Sequence, residues 1–273
     1  MSRIELLVAA VRQDTKALPS KMNIQSDAVI VNQCDEDQTF ENDYTDRTGM
    51  VCRIKCLHRN ERGVGISRNL ALENADRELL QFADEDIVYN DGYTELVEKE
   101  FDAHPEADML MFNVKAQEGR ETYYNTDFAR VTWKNYGRYP AYAIVARTAV
   151  LKNAGVKFSV LFGGGAKYSN GEDSLFLHDC LKSGIRIYRT DVSIGHEVAE
   201  RPSTWFDGYN DKFFFDRGVL YHFLYGSLAA AMSLRFVLVK RKEMCREKSV
   251  LQCYRLMKKG IRQGKLEERE GNF

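Results

Sequence analysis

"LLQFADEDIVY", Leu79 to Tyr89, decides how the chain is read. Its first half has the pattern of a buried strand, with Leu79, Leu80, Phe82 and Ala83 apolar or small. Three acids follow, Asp84, Glu85 and Asp86, before apolar character returns with Ile87, Val88 and Tyr89. In an extended segment residues i and i+2 point the same way. Asp84 and Asp86 are therefore expected to converge on one point, with Glu85 facing away. Two carboxylates at a strand end suit a hard divalent cation, Mn²⁺ or Mg²⁺, which takes its other ligands from water and substrate phosphates. A solvated loop can carry the same acids, so their meaning depends on their neighbours.

Working outward, strand-like runs occur at 4–11, 27–33, 50–57, 78–84 and 107–114. Segments 67–75 and 93–104 between them have helical spacing. Apolar strands alternating with helices predict an α/β fold, a Rossmann-like and mainly parallel central sheet flanked by helices. Ligands in such sheets bind at the carboxyl ends of the strands, where Asp84–Asp86 fall. The aromatic and β-branched run 122–147 reads as two or three strands at a sheet edge or in a hairpin. Residues 185–197 read as two more short strands, ending at His196.

Four further groups could carry chemistry. In "LFGGGAKYSNGEDSLFLHDC" (161–180), Gly163 and Gly164 allow backbone to approach a ligand, or simply to turn. Glu172 and Asp173 open a helix there, where the dipole favours carboxylates by ~0.3–1 kcal/mol. Asp173 is also a candidate general base. His196, after a strand, is a candidate metal ligand. "HRNERGVGISRN" (58–69) sets Arg59, Arg62 and Arg68 around a helix start, a place where phosphate binds. It is neither a Walker A loop nor a dinucleotide fingerprint, since no GK[ST] follows and Arg68 stands where the third glycine belongs.

The 273 residues are 44% hydrophobic and 29% charged, which excludes disordered and collagen-like classes. Charge is segregated. Residues 1–234 carry 27 Lys and Arg against 35 Asp and Glu, whereas 235–273 carry 12 against 5. The six cysteines form no CxxC pair, which fits free thiols in a reducing compartment. The N-terminal "MSRIELLVAAVRQD" lacks a signal-peptide cleavage pattern. A cytoplasmic protein is expected, with no nucleic-acid partner. From about residue 213 the character changes: 218–239 is a long apolar run, and 246–265 is a basic helix candidate. We expect a body at 1–212 and a C-terminal helical extension at 213–273. The segment 218–265 is expected to cap the core, form a homodimer interface, or meet an anionic membrane surface as a peripheral element on its inner face.

The ordered set of motifs resembles family 2 glycosyltransferases of the GT-A fold, over roughly residues 1–200. A strand runs into "VNQCDED" (31–37), "GISRN" (65–69) opens a helix, and a strand ends in the DxD motif Asp84–Glu85–Asp86. Then "GED" (171–173) opens a helix and a strand ends in His196. The resemblance implies an inverting transfer from a nucleotide-sugar, most often a UDP-sugar, to a glycan or lipid-linked glycan acceptor. It places Asn32, Gln33, Arg68, Asp84, Glu85, Gly163 and Gly164 on the nucleotide-sugar side. It makes Asp86 the main metal ligand, with Asp84 and His196 near the metal, and Asp173 the base supported by Glu172. The sequence departs from the family where Asn32 and Gln33 replace the usual Asp-Asp, although amides can still read a base. The first strand also ends "AAVRQD" instead of Pro-x-Tyr/Phe-Asn. A sugar-nucleotidyltransferase would show glycines near the first strand, and "VAAVRQDTKALPSKM" (8–22) has none. A non-catalytic binding scaffold of the same fold is the other alternative, with no need for both DxD and GED.

Overall fold

The computed structural model describes residues 2–119, 121–198 and 208–271. Its strands are β1 (Ile4–Val11), β2 (Asp27–Gln33), β3 (Gln38–Thr45), β4 (Val51–Arg59), β5 (Leu79–Asp84), β6 (Ile87–Tyr89), β7 (Met109–Lys115), β8 (Ala129–Arg130), β9 (Ile144–Arg147) and β10 (Ile187–Glu197). Its helices are α1 (Leu18–Met22), α2 (Val64–Asn74), α3 (Tyr93–Ala103), α4 (Thr148–Ala154), α5 (Glu172–Lys182), α6 (Asp211–Tyr225), α7 (Ala229–Met244) and α8 (Val250–Arg269). The strands form one sheet in the order β3-β4-β2-β1-β5-β9-β7-β10-β6, with β8 on β10.

The expected α/β architecture is present. Strands β4, β2, β1 and β5 run parallel, as do β7 and β10. Register brings Ala9 beside Asp84, Ala10 beside Asn32, and Gln33 beside Arg59. The carboxyl ends of four strands thus share one edge, which explains how residues far apart in sequence meet there.

Both faces of the sheet are covered. On one, Phe158 and Phe176 stack at 3.9 Å, and Phe82 meets Phe158 edge-on at 5.0 Å. On the other, Tyr93, Val97 and Phe101 of α3 are fully covered, and Tyr89 stacks on Tyr93 at 4.5 Å. Burying each such side chain stabilises by ~1.5–3 kcal/mol.

Three readings of the sequence change. The run 122–147 is neither an edge nor a hairpin. It contributes two-residue β8, two 3₁₀ turns, and buried β9, which wedges antiparallel between β5 and β7. Residues 187–197 are one strand with register shifts between Arg189 and Gly195, not two strands. The apolar run 218–239 is not one helix, because the chain breaks at Gly226 (φ 52°) between α6 and α7.

The three C-terminal helices share a core of their own, including Phe214, Leu220, Cys253 and Met257, which closes onto Phe162, Tyr168 and Leu175 of the body. α6 and α8 cross at their glycines: a Cβ on Gly260 would stand 2.0 Å from the Phe215 carbonyl oxygen. Two bonded sets tie this extension to the loop before α5. Buried Glu267 accepts from Lys167 Nζ at 2.5 Å and from the Tyr168 hydroxyl at 2.6 Å. Buried Asp216 accepts from the Ser169 amide at 2.9 Å and its hydroxyl at 2.8 Å.

Candidate active site

Arg68 organises the site. It lies on α2, is 4% exposed, and has its guanidinium over the Phe158 ring at 5.3 Å. One Nη donates to Asp84 Oδ1 at 2.8 Å. The other donates to Asp173 Oδ1 at 2.8 Å and reaches Glu172 Oε1 at 3.5 Å. The DxD and GED motifs, 89 residues apart from Asp84 to Asp173, are thus joined by one planar fork, a geometry that arginine offers and lysine does not.

Burial pushes the Asp173 carboxyl up to about 7, with Arg68 opposing and Glu172 adding to the rise. Its side chain keeps 24% exposure. Glu172 also accepts from the Gly171 amide at 3.1 Å. Gly163 (φ 104°) lies so close that a Cβ there would stand 2.7 Å from the Glu172 carboxyl carbon and 2.6 Å from Val64. Its freedom of φ and its missing side chain therefore serve Glu172 and α2. Gly164 accepts through its carbonyl from the Val64 amide at 2.9 Å, so the glycine loop seats the start of α2.

Asp86 sits in the turn between β5 and β6. Burial pushes its carboxyl up to about 7, reinforced by Asp84 and Glu197. An all-oxygen donor set with surplus negative charge fits a hard divalent cation held by Asp86 with Asp84. His196 is not brought into this group. It is exposed, stands across from Val88, and helps line an open pocket with Asn90, Lys115 and Gln117. Glu197, the next residue of β10, lines the same pocket, accepts from the Gln117 amide at 3.0 Å, and adds its negative charge to the rise at Asp86.

Glu85, in the turn after β5, is bonded to the end of β1. It accepts from the Val11 amide at 2.5 Å and from Gln13 Nε2 at 3.0 Å, which ties the end of β1 to the DxD turn. Asn32 makes a reciprocal pair with the main chain of Gln13, accepting and donating at 3.0 Å. Gln33 donates to Ser67 Oγ at 3.0 Å and accepts from the Gly63 amide at 3.1 Å. Both amides are buried. Their bonds tie the end of β2 to the turn after β1 and to the start of α2. Arg12, at φ 50°, makes the turn that delivers Gln13 to Asn32. Among the described residues, a separate group with metal-ligand geometry is Cys34, Glu36 and His58 at the same sheet edge.

One parallel sheet edge thus carries the DxD segment, the arginine fork and the helix-opening carboxylate pair, on a fold of the GT-A class. The glycosyl transferase family 2 model matches residues 25–162, and the chain belongs to that family. Over 190 residues it is 27% identical to the poly(ribitol-phosphate) beta-N-acetylglucosaminyltransferase TarS of Staphylococcus aureus, covering 67% of this chain. The chain spans 30% of that relative's length. The S. aureus TarS 1–349 structure in complex with UDP-GlcNAc superposes with a TM-score of 0.62 at 15% identity, covering 99% of this chain and 92% of that one. The S. aureus TarS crystal structure gives 0.54 at 18% identity, covering 91% and 44%. These likenesses bear on the fold, including the C-terminal helices.

Proposed function

We propose that the protein is an inverting glycosyltransferase that moves a sugar from a UDP-sugar to a hydroxyl of a glycan or lipid-linked glycan acceptor. The observation that carries the reading is the Arg68 fork, 2.8 Å from both Asp84 and Asp173. It fixes a donor-side carboxylate and an acceptor-side carboxylate in one frame. TarS, whose structure holds UDP-GlcNAc, makes N-acetylglucosamine the first donor sugar to try.

Asp173 takes the proton of the acceptor hydroxyl. The acceptor oxygen forms its bond to the anomeric carbon as the bond to the diphosphate breaks. The nucleoside diphosphate leaves with the electron pair, and attack from the opposite face inverts the anomeric centre. A base with a pKa near the working pH is well matched to this role, worth ~10²–10⁴-fold in rate. Arg68 holds the Asp173 carboxylate in line, and Glu172 sets the start of α5. A divalent cation, when bound by Asp86 with Asp84, supplies Lewis-acid stabilisation of charge on the leaving diphosphate.

Nucleotide release from a panel of UDP-, GDP- and dTDP-sugars, with Mn²⁺ or with EDTA, tests the proposal. Release from a UDP-sugar that EDTA abolishes is expected. No release from any donor would assign the chain to a binding scaffold of the same fold. Release that EDTA leaves unchanged would remove the metal from the account.

A further inference from the structure

Helix α7 has two unlike faces. Ala229, Ser233 and Val237 turn inward and are buried. The opposite stripe follows helical spacing through Leu228, Ala231, Arg235, Leu238, Val239 and Lys242, all of them exposed. Leu228 is 64% exposed, Leu238 43% and Val239 65%, with Leu234 at 40% beside them. Three large aliphatic side chains on one short helix, with Leu228 capping its start, are more than the scattered apolar residues of an ordinary surface.

The stretch Asp211–Met244 is long and apolar enough to cross a bilayer by length and composition. Its structure argues against crossing. α6 carries buried Asp216 and His222 and packs on α8, and the chain breaks at Gly226 before α7 begins. The 16 residues of α7 span about 24 Å, short of the ~30 Å of a hydrocarbon core.

Charge separates the remaining occupants. Arg235 and Lys242 interrupt the apolar stripe, and Arg241 and Arg246 flank its C-terminal end, where Lys240 is paired with Glu243 at 3.0 Å. Long basic side chains lay their stems along apolar surface and lift their charges to a polar interface. A two-fold contact between copies would set these cations against themselves. An anionic lipid surface complements them. The body carries the opposite bias, so it is repelled by the same surface and the molecule is oriented.

We propose that the outer face of α7, Leu228 to Lys242, docks the protein on an anionic bilayer, lying in the plane of the headgroups. α6 and α8 hold it from behind and do not enter. The geometry is that of an interfacial amphipathic helix: aliphatic side chains reach the acyl boundary and basic residues pair with lipid phosphate.

Co-sedimentation of the full chain tests this, with vesicles of equal parts phosphatidylcholine and phosphatidylglycerol and with vesicles of phosphatidylcholine alone. Binding to the anionic vesicles that high salt releases is expected. Reversing both cations, Arg235→Glu with Lys242→Glu, weakens it by at least about tenfold. Leu238→Glu weakens it as well, while the circular dichroism melt stays that of the parent. Two results overturn the proposal. One is no sedimentation with anionic vesicles. The other is a dimer in sedimentation equilibrium that Leu238→Glu dissociates, which gives the face to a second copy.

Discussion

Arg68 stands 4% exposed among three carboxylates, so its removal is costly in two ways. It would leave Asp84, Glu172 and Asp173 facing one another, and it would strip the packing over Phe158. Breaking one partner of a buried ion pair costs ~3–5 kcal/mol, so Arg68→Ala is expected to lower the urea midpoint sharply. Arg68→Lys keeps the charge and loses the fork, and should recover part of the stability with little of the activity. Equal recovery of both would reduce Arg68 to a point charge. The carboxyl of Asp173 sets a pH dependence. With its pKa raised to about 7 by burial, transfer should fall about tenfold per unit below that value, measured with donor and Mn²⁺ both saturating so that protonation of Asp86 does not enter. A folded pKa above the unfolded value means that the ionised form is disfavoured by folding. For Asp173 and Asp86 alike, stability is therefore lost as pH rises from about 4 through about 7. Without metal the protein should melt higher at pH 6 than at pH 8, and Asp86→Asn should shrink the difference. An unchanged difference would remove Asp86 as its source.

Elements differed in how plainly the sequence announced them. The parallel strands and the DxD end of β5 were legible because a strand covered on both faces must be apolar along its length. β3, "QTFENDYT", was not legible, since an edge strand facing water need carry few apolar residues and here only Phe40 and Tyr44 pack inward. β9 was hidden because nothing in its four residues says that it inserts between β5 and β7 and not at an edge. Gly226 was legible as a weak point of the apolar run 218–239, whereas the full break into two helices there is set by its backbone conformation. Among site residues, Asp84, Asp86, Arg68, Glu172 and Asp173 could be named from motif order, whereas the structural use of Asn32 and Gln33 and the place of Glu197 required register. At this scale the testable element is the brace from α8 to the loop before α5. Glu267→Ala removes the acceptor shared by the Tyr168 hydroxyl, Lys167 and Gln263, and should cost about 1–3 kcal/mol and lower kcat more than it raises the donor KM. A normal kcat would make α8 a passive cap.

Taken whole, the molecule divides its labour by charge and by layer. The acidic body presents one sheet edge at which β1, β2, β4 and β5 end together. The helical extension reaches that edge through Asp216 and Glu267, each holding the loop that leads to Glu172 and Asp173. The outward face of the same extension is apolar and basic, so an attached lipid surface would lie on the side of the helices that set the acceptor-side carboxylates. The central claim is that Asp173 is the base of a transfer reaction whose donor is held elsewhere. The measurement that tests it most directly pairs two readings on Asp173→Asn: sugar transfer from UDP-N-acetylglucosamine, and UDP affinity by calorimetry. The account predicts that transfer falls by ~10²-fold or more while UDP affinity stays within a few-fold of the parent. Near-parental transfer by the asparagine variant would contradict it.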